Sequence, residues 1–313
     1  MGTLVEIGLT GEDEETLREA AKNGFLEIER LEEMMSHHSR DGELSQINRY
    51  SGIKGVNVSP ELLEVIEASM RFSEFSHGSF DITMGALRRI WDFDGITHGT
   101  MPIPSPRMVR KLLPLIDYRQ ISVDGRESTV RLNKPGMMIN LGGIAKGYIV
   151  KRAVEAIKKR GIKRGIVRAG GDMVVFQGPK DPPFRVGIQH PRKRGKLLGT
   201  IQVSNSAIAT SGDYERSFIK DGIRYHHIID PTTGFPAYRC QAVTIVAKDA
   251  MTADALSTAV FVTGIDAGMS LIERLPDVEG VIVDAEGMVS VSSGLKGKIE
   301  INELPSYLAD STY

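Results

Sequence analysis

The stretch Asn140-Leu141-Gly142-Gly143-Ile144-Ala145-Lys146-Gly147-Tyr148 constrains the fold of this chain more than any other. Met137-Met138-Ile139 before it reads as the end of a buried strand. After it, Ile149, Val150, Ala153, Val154 and Ile157 recur at helical spacing, and Gly161 supplies a stop. A strand thus runs through a glycine turn into a helix whose first N–H groups lack intrahelical acceptors. Those donors, the positive helix end and the charge of Lys146 suit a phosphate, and paired glycines let a ligand or metal approach the backbone. The stretch is neither a dinucleotide fingerprint nor a P-loop. A turn that needs glycine only for close packing reads the same way.

With 313 residues the chain has ample material for a buried core. Its 39 Lys+Arg against 40 Asp+Glu leave no global field pointing to nucleic acid or to an acidic partner. Arg192-Lys193-Arg194 with Lys196, between Pro191 and Gly195, reads as a solvated loop. Cys240 is the only cysteine, which excludes an intrachain disulfide and a Cys-based metal site, and its place beside a strand argues against a nucleophile. No apolar run reaches membrane-spanning length, and Met1-Gly2-Thr3 leads into a first strand with no signal-peptide core.

The pattern predicts a strand at 3–9 and a long helix over 13–35, with Leu17, Ala21, Phe25, Ile28, Leu31 and Met35 as its apolar stripe. A polar loop carrying His37 and His38 follows; adjacent histidines do not share a helix face, so the pair reads as part of an exposed, hydrogen-bonding loop and not as a chelate. Ser59-Pro60 and Ser105-Pro106 are helix starts, and 121–124 with 129–132 form a hairpin. Strands at 165–168 and 173–176 flank a second glycine turn, Ala169-Gly170-Gly171-Asp172. Strand patterns dominate 184–246, with a hairpin at Asp221-Gly222. Helices at 250–262 and 267–275 and strands at 278–283 and 288–291 complete the core. The expectation is an α+β fold, a mixed and largely antiparallel sheet with packed helices. One domain over 1–303 and a tail at 304–313 are expected, since no linker composition divides the chain.

Three segments carry candidate chemistry. The helix around Thr252-Ala253-Asp254-Ala255-Leu256-Ser257-Thr258 is apolar nearly all round, so Asp254 is expected to be buried and to need a cation, a metal or several donors. Thr258 lies four residues on, and a carboxylate and a hydroxyl on one face suit Mg²⁺ better than zinc. Capping of a neighbouring turn by Asp254 is the alternative. In His226-His227-Ile228-Ile229-Asp230-Pro231-Thr232-Thr233-Gly234, a strand would send the histidines to opposite faces, so only one enters a site. That histidine could take a proton from an attacking hydroxyl, with Asp230 entering the pocket beside it. An Asx-type turn with a satisfied histidine explains the same letters. Thr210-Ser211-Gly212-Asp213-Tyr214-Glu215-Arg216 reads as a hydroxyl-rich turn entering a strand, suited to phosphate or ribose and equally to plain turn chemistry.

Together these segments resemble the ApbE flavin transferase family, the FAD:protein FMN transferases. The resemblance runs from Met1-Gly2-Thr3 through Glu43-Leu44-Ser45, Phe80-Asp81-Ile82-Thr83, the 141–148 turn, Gly170-Gly171-Asp172, Thr210 to Tyr214 and His227 to Gly234, and on to Ala253 to Thr258. It implies an ApbE-like fold and a Mg²⁺-dependent enzyme that binds FAD and breaks its pyrophosphate. FMN would pass to a Thr or Ser hydroxyl of an acceptor redox flavoprotein as a phosphoester, with release of AMP. By position, Asp254, Thr258, Ser257 and the Gly143 carbonyl would hold Mg²⁺. Met1, His38, Ser79, Phe80, Asp81, Asn140, Lys146 and Ile228 would line the FAD site. His227 would be the base and Asp230 its orienting partner. Asn140 stands where the family usually has Asp, and His38 occupies a position that is often aromatic. The alternatives are an FAD pyrophosphatase that uses water as acceptor and a non-catalytic FAD carrier; a carrier needs neither a base nor a metal set. The resemblance also implies work outside the cytoplasm, in the periplasm or at the membrane, after loss of a leader not present here.

Overall fold

In the computed structural model the described residues are 2–37, 39, 41–93 and 101–302, so Met1, His38 and the 304–313 tail lie outside them. The N-terminal part holds β1 (Val5–Thr10), α1 (Glu14–Met35), α2 (Glu43–Arg49), β2 (Val56–Asn57), α3 (Pro60–Phe75) and α4 (Pro106–Leu112). The middle holds β3 (Ile121–Asp124), β4 (Thr129–Leu132), α5 (Ala145–Lys158), β5 (Arg164–Ala169), β6 (Asp172–Phe176), β7 (Phe184–Gln189) and β8 (Leu197–Val203). There follow β9 (Ser206–Gly212), β10 (Ser217–Lys220), β11 (Ile223–His226), β12 (Cys240–Ala247), α6 (Ala250–Thr263), α7 (Ile265–Glu273), β13 (Val278–Asp284), β14 (Val289–Val291) and β15 (Ile299–Ile301).

Seven strands make the main sheet in the order β1-β5-β6-β9-β12-β13-β14, with antiparallel neighbours throughout. The smaller sheets β15-β8-β7 and β2-β4-β3 and the hairpin β10-β11 are antiparallel too. The α+β expectation holds. β12 explains the layering, because all eight of its residues are buried. Val243, Ile245 and Ala247 pack with Leu256 and Val260 of α6 on one face. Ala242 and Val246, on the other face, meet Val186 and Ile201 of the small sheet. A strand covered on both faces loses the apolar–polar alternation and becomes a continuous apolar run.

The helices begin where the letters say. Asp13, Ser59, Ser105 and Asp249 each accept the N–H three residues on, at 2.9, 3.3, 3.4 and 3.0 Å. The 121–124/129–132 hairpin forms as expected. α5 and α6 cross so closely that a Cβ at Gly147 would lie 2.2 Å from the Ala250 carbonyl oxygen, so only glycine allows the approach. Cys240 is buried, and burial pushes its thiol up to about 12, which removes it as a nucleophile. Trp91 is buried, donates its indole N–H to the Gly234 carbonyl at 2.9 Å, and stacks on Phe93 and Tyr225. This cluster ties the β10–β11 hairpin to the loop that follows it. No helix among the described residues is long and apolar enough to cross a membrane.

Four expectations need correction. The segment 137–139 forms no strand and pairs only through a single parallel bridge from Met138 to Met84. The α1 stripe is displaced: Ala20, Gly24, Ile28, Leu31 and Met35 are buried, whereas Phe25 is 40% exposed. Thr210 and Ser211 belong to β9 itself, so the turn starts only after Gly212. Strand β11 stops at His226, and His227 begins a loop.

Candidate active site

The start of α5 is capped from another helix. Asp254 is 2% exposed, and its Oδ2 accepts the Gly147 N–H at 3.0 Å while its Oδ1 accepts from Lys146 Nζ at 3.1 Å. The anion at this positive helix end is therefore a carboxylate of the protein itself. The Ala145 N–H returns to the Leu141 carbonyl at 2.8 Å, so the turn offers fewer free donors than its letters suggest. Lys146 is also hydrogen-bonded to Asp172, a buried residue at the start of β6. Burial opposes the Lys146 charge, but Asp172 and then Asp254 outweigh it and raise its pKa above the ordinary lysine value. Burial, followed by the negative charge of Asp254, pushes the Asp172 carboxyl up to about 7.

Hydroxyls from α6 and β9 extend this cluster. Ser257 Oγ donates to the Asp254 carbonyl at 2.8 Å, and Ser211 Oγ lies 2.8 Å from Ser257 Oγ and 3.3 Å from Thr258 Oγ1. A Cβ at Gly143 would be 3.1 Å from Thr258 Oγ1 and 3.1 Å from the Phe80 ring. Gly143, Thr258 and Phe80 thus meet at one point beside the carboxylates. Asn140 holds the turn shut, its Oδ1 accepting the Gly142 N–H at 2.7 Å and its own N–H donating to the Ile82 carbonyl at 2.8 Å.

The histidines divide as the sequence argument required, although not by strand alternation. His226 is 1% exposed, with Nε2 2.8 Å from the Ala237 carbonyl, and burial brings its pKa down to about 4. His227 keeps an open edge, and its Nδ1 lies 3.3 Å from the Glu215 carbonyl. Loss of water on its protein side, and behind it the charge of Arg216, holds its imidazole below the usual histidine value. The ring is neutral at pH 7, the state that accepts a proton.

The remaining candidates are tied into the fold. Asp230 Oδ1 accepts from the Thr232 N–H at 2.8 Å and its hydroxyl at 2.6 Å, an Asx turn whose carboxylate braces the loop. Asp81 accepts from Thr83 at 2.8 and 2.6 Å and from the Tyr118 N–H at 3.0 Å, so its carboxylate secures the turn after α3. Ser79 is half-buried in that turn, and Ile228 is buried beside His227. Met1 and His38 lie outside the described residues. Two residues of the cluster were not among the expected site residues, Asp172 and Ser211. Each followed or sat within a glycine or hydroxyl turn that ordinary turn chemistry explains equally well; a carboxylate directly after Gly170-Gly171 was the available signal.

Two buried carboxylates face one ammonium here, and the raised Asp172 carboxyl keeps part of its proton near pH 7. Among the described residues no three His, Cys, Asp or Glu side chains gather as a metal cluster, so a cation here would rely on hydroxyl, carbonyl, water or substrate oxygens as well. That oxygen-only set with few carboxylates suits Mg²⁺. The residues fit the ion.

The sequence profile of the ApbE family matches residues 1–282. The chain is 30% identical to the FAD:protein FMN transferase of Treponema pallidum over 298 residues, 90% of this chain and 82% of that protein. It is 31% identical to the Vibrio cholerae FAD:protein FMN transferase over 249 residues, 79% of this chain and 74% of that one. The ApbE protein of Thermotoga maritima superposes with a TM-score of 0.87 at 34% identity, covering 95% of this chain and 96% of its own. The flavin transferase ApbE of Vibrio cholerae gives 0.80 at 29% identity over the same shares.

Proposed function

The chain belongs to the ApbE family, and from that membership we propose that it moves FMN from FAD onto a Thr or Ser hydroxyl of an acceptor flavoprotein, with Mg²⁺, releasing AMP. As an enzyme it is an FAD:protein FMN transferase. One observation supports the finer reading: a buried set of carboxylate and hydroxyl oxygens from Asp254, Ser257, Ser211 and Thr258 is fixed around the Lys146 ammonium.

In this reading the acceptor hydroxyl gives its proton to His227 while its oxygen attacks the FMN-side phosphorus. The bond from that phosphorus to the bridging oxygen breaks, and AMP leaves with that oxygen. A new P–O bond joins FMN to the acceptor. Lys146, fixed by Asp172 and Asp254, offers positive charge to the pyrophosphate. Asp254, Thr258, Ser257 and the Gly143 carbonyl would hold Mg²⁺, which when bound neutralises phosphate charge and polarises the bond to be broken. Phe80 and Asn140 shape the wall of the turn, and Asp230 acts on the position of the His227 loop.

The test is incubation with FAD, Mg²⁺ and an acceptor domain carrying a flavinylation Thr. Flavin fluorescence on the acceptor in a denaturing gel, equimolar AMP and loss of both with EDTA are the expected results. AMP and free FMN with no labelled acceptor, across several acceptors, would assign the same residues to pyrophosphate hydrolysis. Intact FAD throughout would reduce the chain to a carrier.

A further inference from the structure

Three hydroxyls meet between β9 and α6, and chemistry assigns their protons. The Asp254 carbonyl oxygen can only accept, so the 2.8 Å bond from Ser257 uses the single Ser257 proton. Ser257 Oγ is left as an acceptor, and the 2.8 Å bond between Ser211 and Ser257 is donated by Ser211. The Ser211 proton is then committed, so its 3.3 Å contact with Thr258 closes with Thr258 donating. The chain of donors runs Thr258 to Ser211 to Ser257 to the Asp254 backbone.

We propose that Ser211 is a positioning residue that accepts the Thr258 O–H and so leaves Thr258 only lone pairs to offer a ligand. This rests on the Mg²⁺ reading given above. A hydroxyl with its proton turned away is a ligand for a hard cation, whereas a phosphate oxygen would call for the proton itself. The relay also spans two elements. Ser211 stands at the end of β9, and Ser257 and Thr258 lie on α6. The strand therefore sets the orientation of a group on the helix, much as outer partners orient metal ligands elsewhere. Thr210, the preceding residue, points its hydroxyl to Thr244 at 2.9 Å and takes no part.

Calorimetric titration of the full chain with MgCl₂, with and without FAD, tests the assignment. Ser211→Ala is expected to weaken Mg²⁺ binding about 10- to 100-fold and to raise by a similar factor the Mg²⁺ concentration needed for half-maximal transfer. Ser211→Thr should restore most of the affinity, and Thr210→Val should leave it unchanged. Ser211→Cys guards against misfolding of the alanine variant. It keeps a proton for Ser257 but accepts poorly from Thr258, so its Mg²⁺ affinity should fall as well. Equal Mg²⁺ affinity in the wild type, Ser211→Ala and Ser211→Cys overturns the proposal while leaving the metal reading intact. A wild-type chain that takes up no Mg²⁺ in either titration overturns both.

Discussion

Around Lys146, three charged side chains from α5, β6 and α6 close on one another with little contact with water. Around His227 the chain is a loop whose polar groups mostly satisfy one another: Asp230 bonds Thr232, and the Asp230 carbonyl accepts from Thr233 and Gly234. The first region is held by packing between distant parts of the sequence, so altering it disturbs the fold as well as the chemistry. The second is local, and the exposed His227 can change with little consequence for the rest. The charge-bearing part of the site is thus purchased from the core, and the proton-accepting part is mounted on it.

Substitutions on the two sides should separate these roles. Asp254→Ala is expected to have the largest effect, slowing FMN transfer by about 10³-fold or more at saturating FAD and Mg²⁺. Retention of a tenth of the wild-type rate, measured by acceptor fluorescence, would remove Asp254 from the machinery. Lys146→Met leaves Asp172 and Asp254 facing each other without a cation, and should cost roughly 3–5 kcal/mol in urea unfolding, partly recovered by added Mg²⁺. A loss below about 1 kcal/mol would mean that the cluster is not the stabilising centre described. His227→Ala should slow transfer by about 10²–10³-fold, with FAD affinity and thermal midpoint close to wild type. Loss of FAD binding in that variant would move His227 from proton transfer to substrate contact.

The smallest effect belongs to His226. In an NMR titration its ring should stay neutral until the pH approaches about 4, against an ordinary value of 6.5. Between those two values the unfolded chain binds the proton and the folded chain does not, so stability from this residue is complete above 6.5 and is lost as the pH falls toward 4. His226→Gln should therefore flatten part of the acid limb of the thermal midpoint. A midpoint near 6.5 for His226 in the folded protein would show that it is not the sealed histidine of the pair.

Much of this was legible in the letters. The glycine turn and helix at 140–158, the caps at Ser59 and Ser105 and the burial of Asp254 follow from local rules, because each depends on neighbours within a few residues. The partner of Asp254 was not legible, since Lys146 lies 108 positions away. The phase of α1 failed for a similar reason. Gly24 faces inward because α1 lies tight on Ile157 of α5 and Ile7 of β1, where a Cβ would come within 2.9 and 3.0 Å, and that approach turns the large Phe25 outward. Asp230 read equally as a catalytic aid and as a turn residue, and in the fold its carboxylate bonds Thr232. Asp172 and Ser211 acquire meaning only from what crosses over them.

Trp91, the chain's single tryptophan, gives the molecule a built-in optical gauge. It sits in a dry aromatic stack and hydrogen-bonds the end of the loop that begins with His227. Flavins absorb where indoles emit, so docking of FAD nearby should dim this one emitter by energy transfer. Each stage of a turnover, from loading of the donor to departure of the labelled acceptor, then becomes readable in a stopped-flow trace from the unmodified protein.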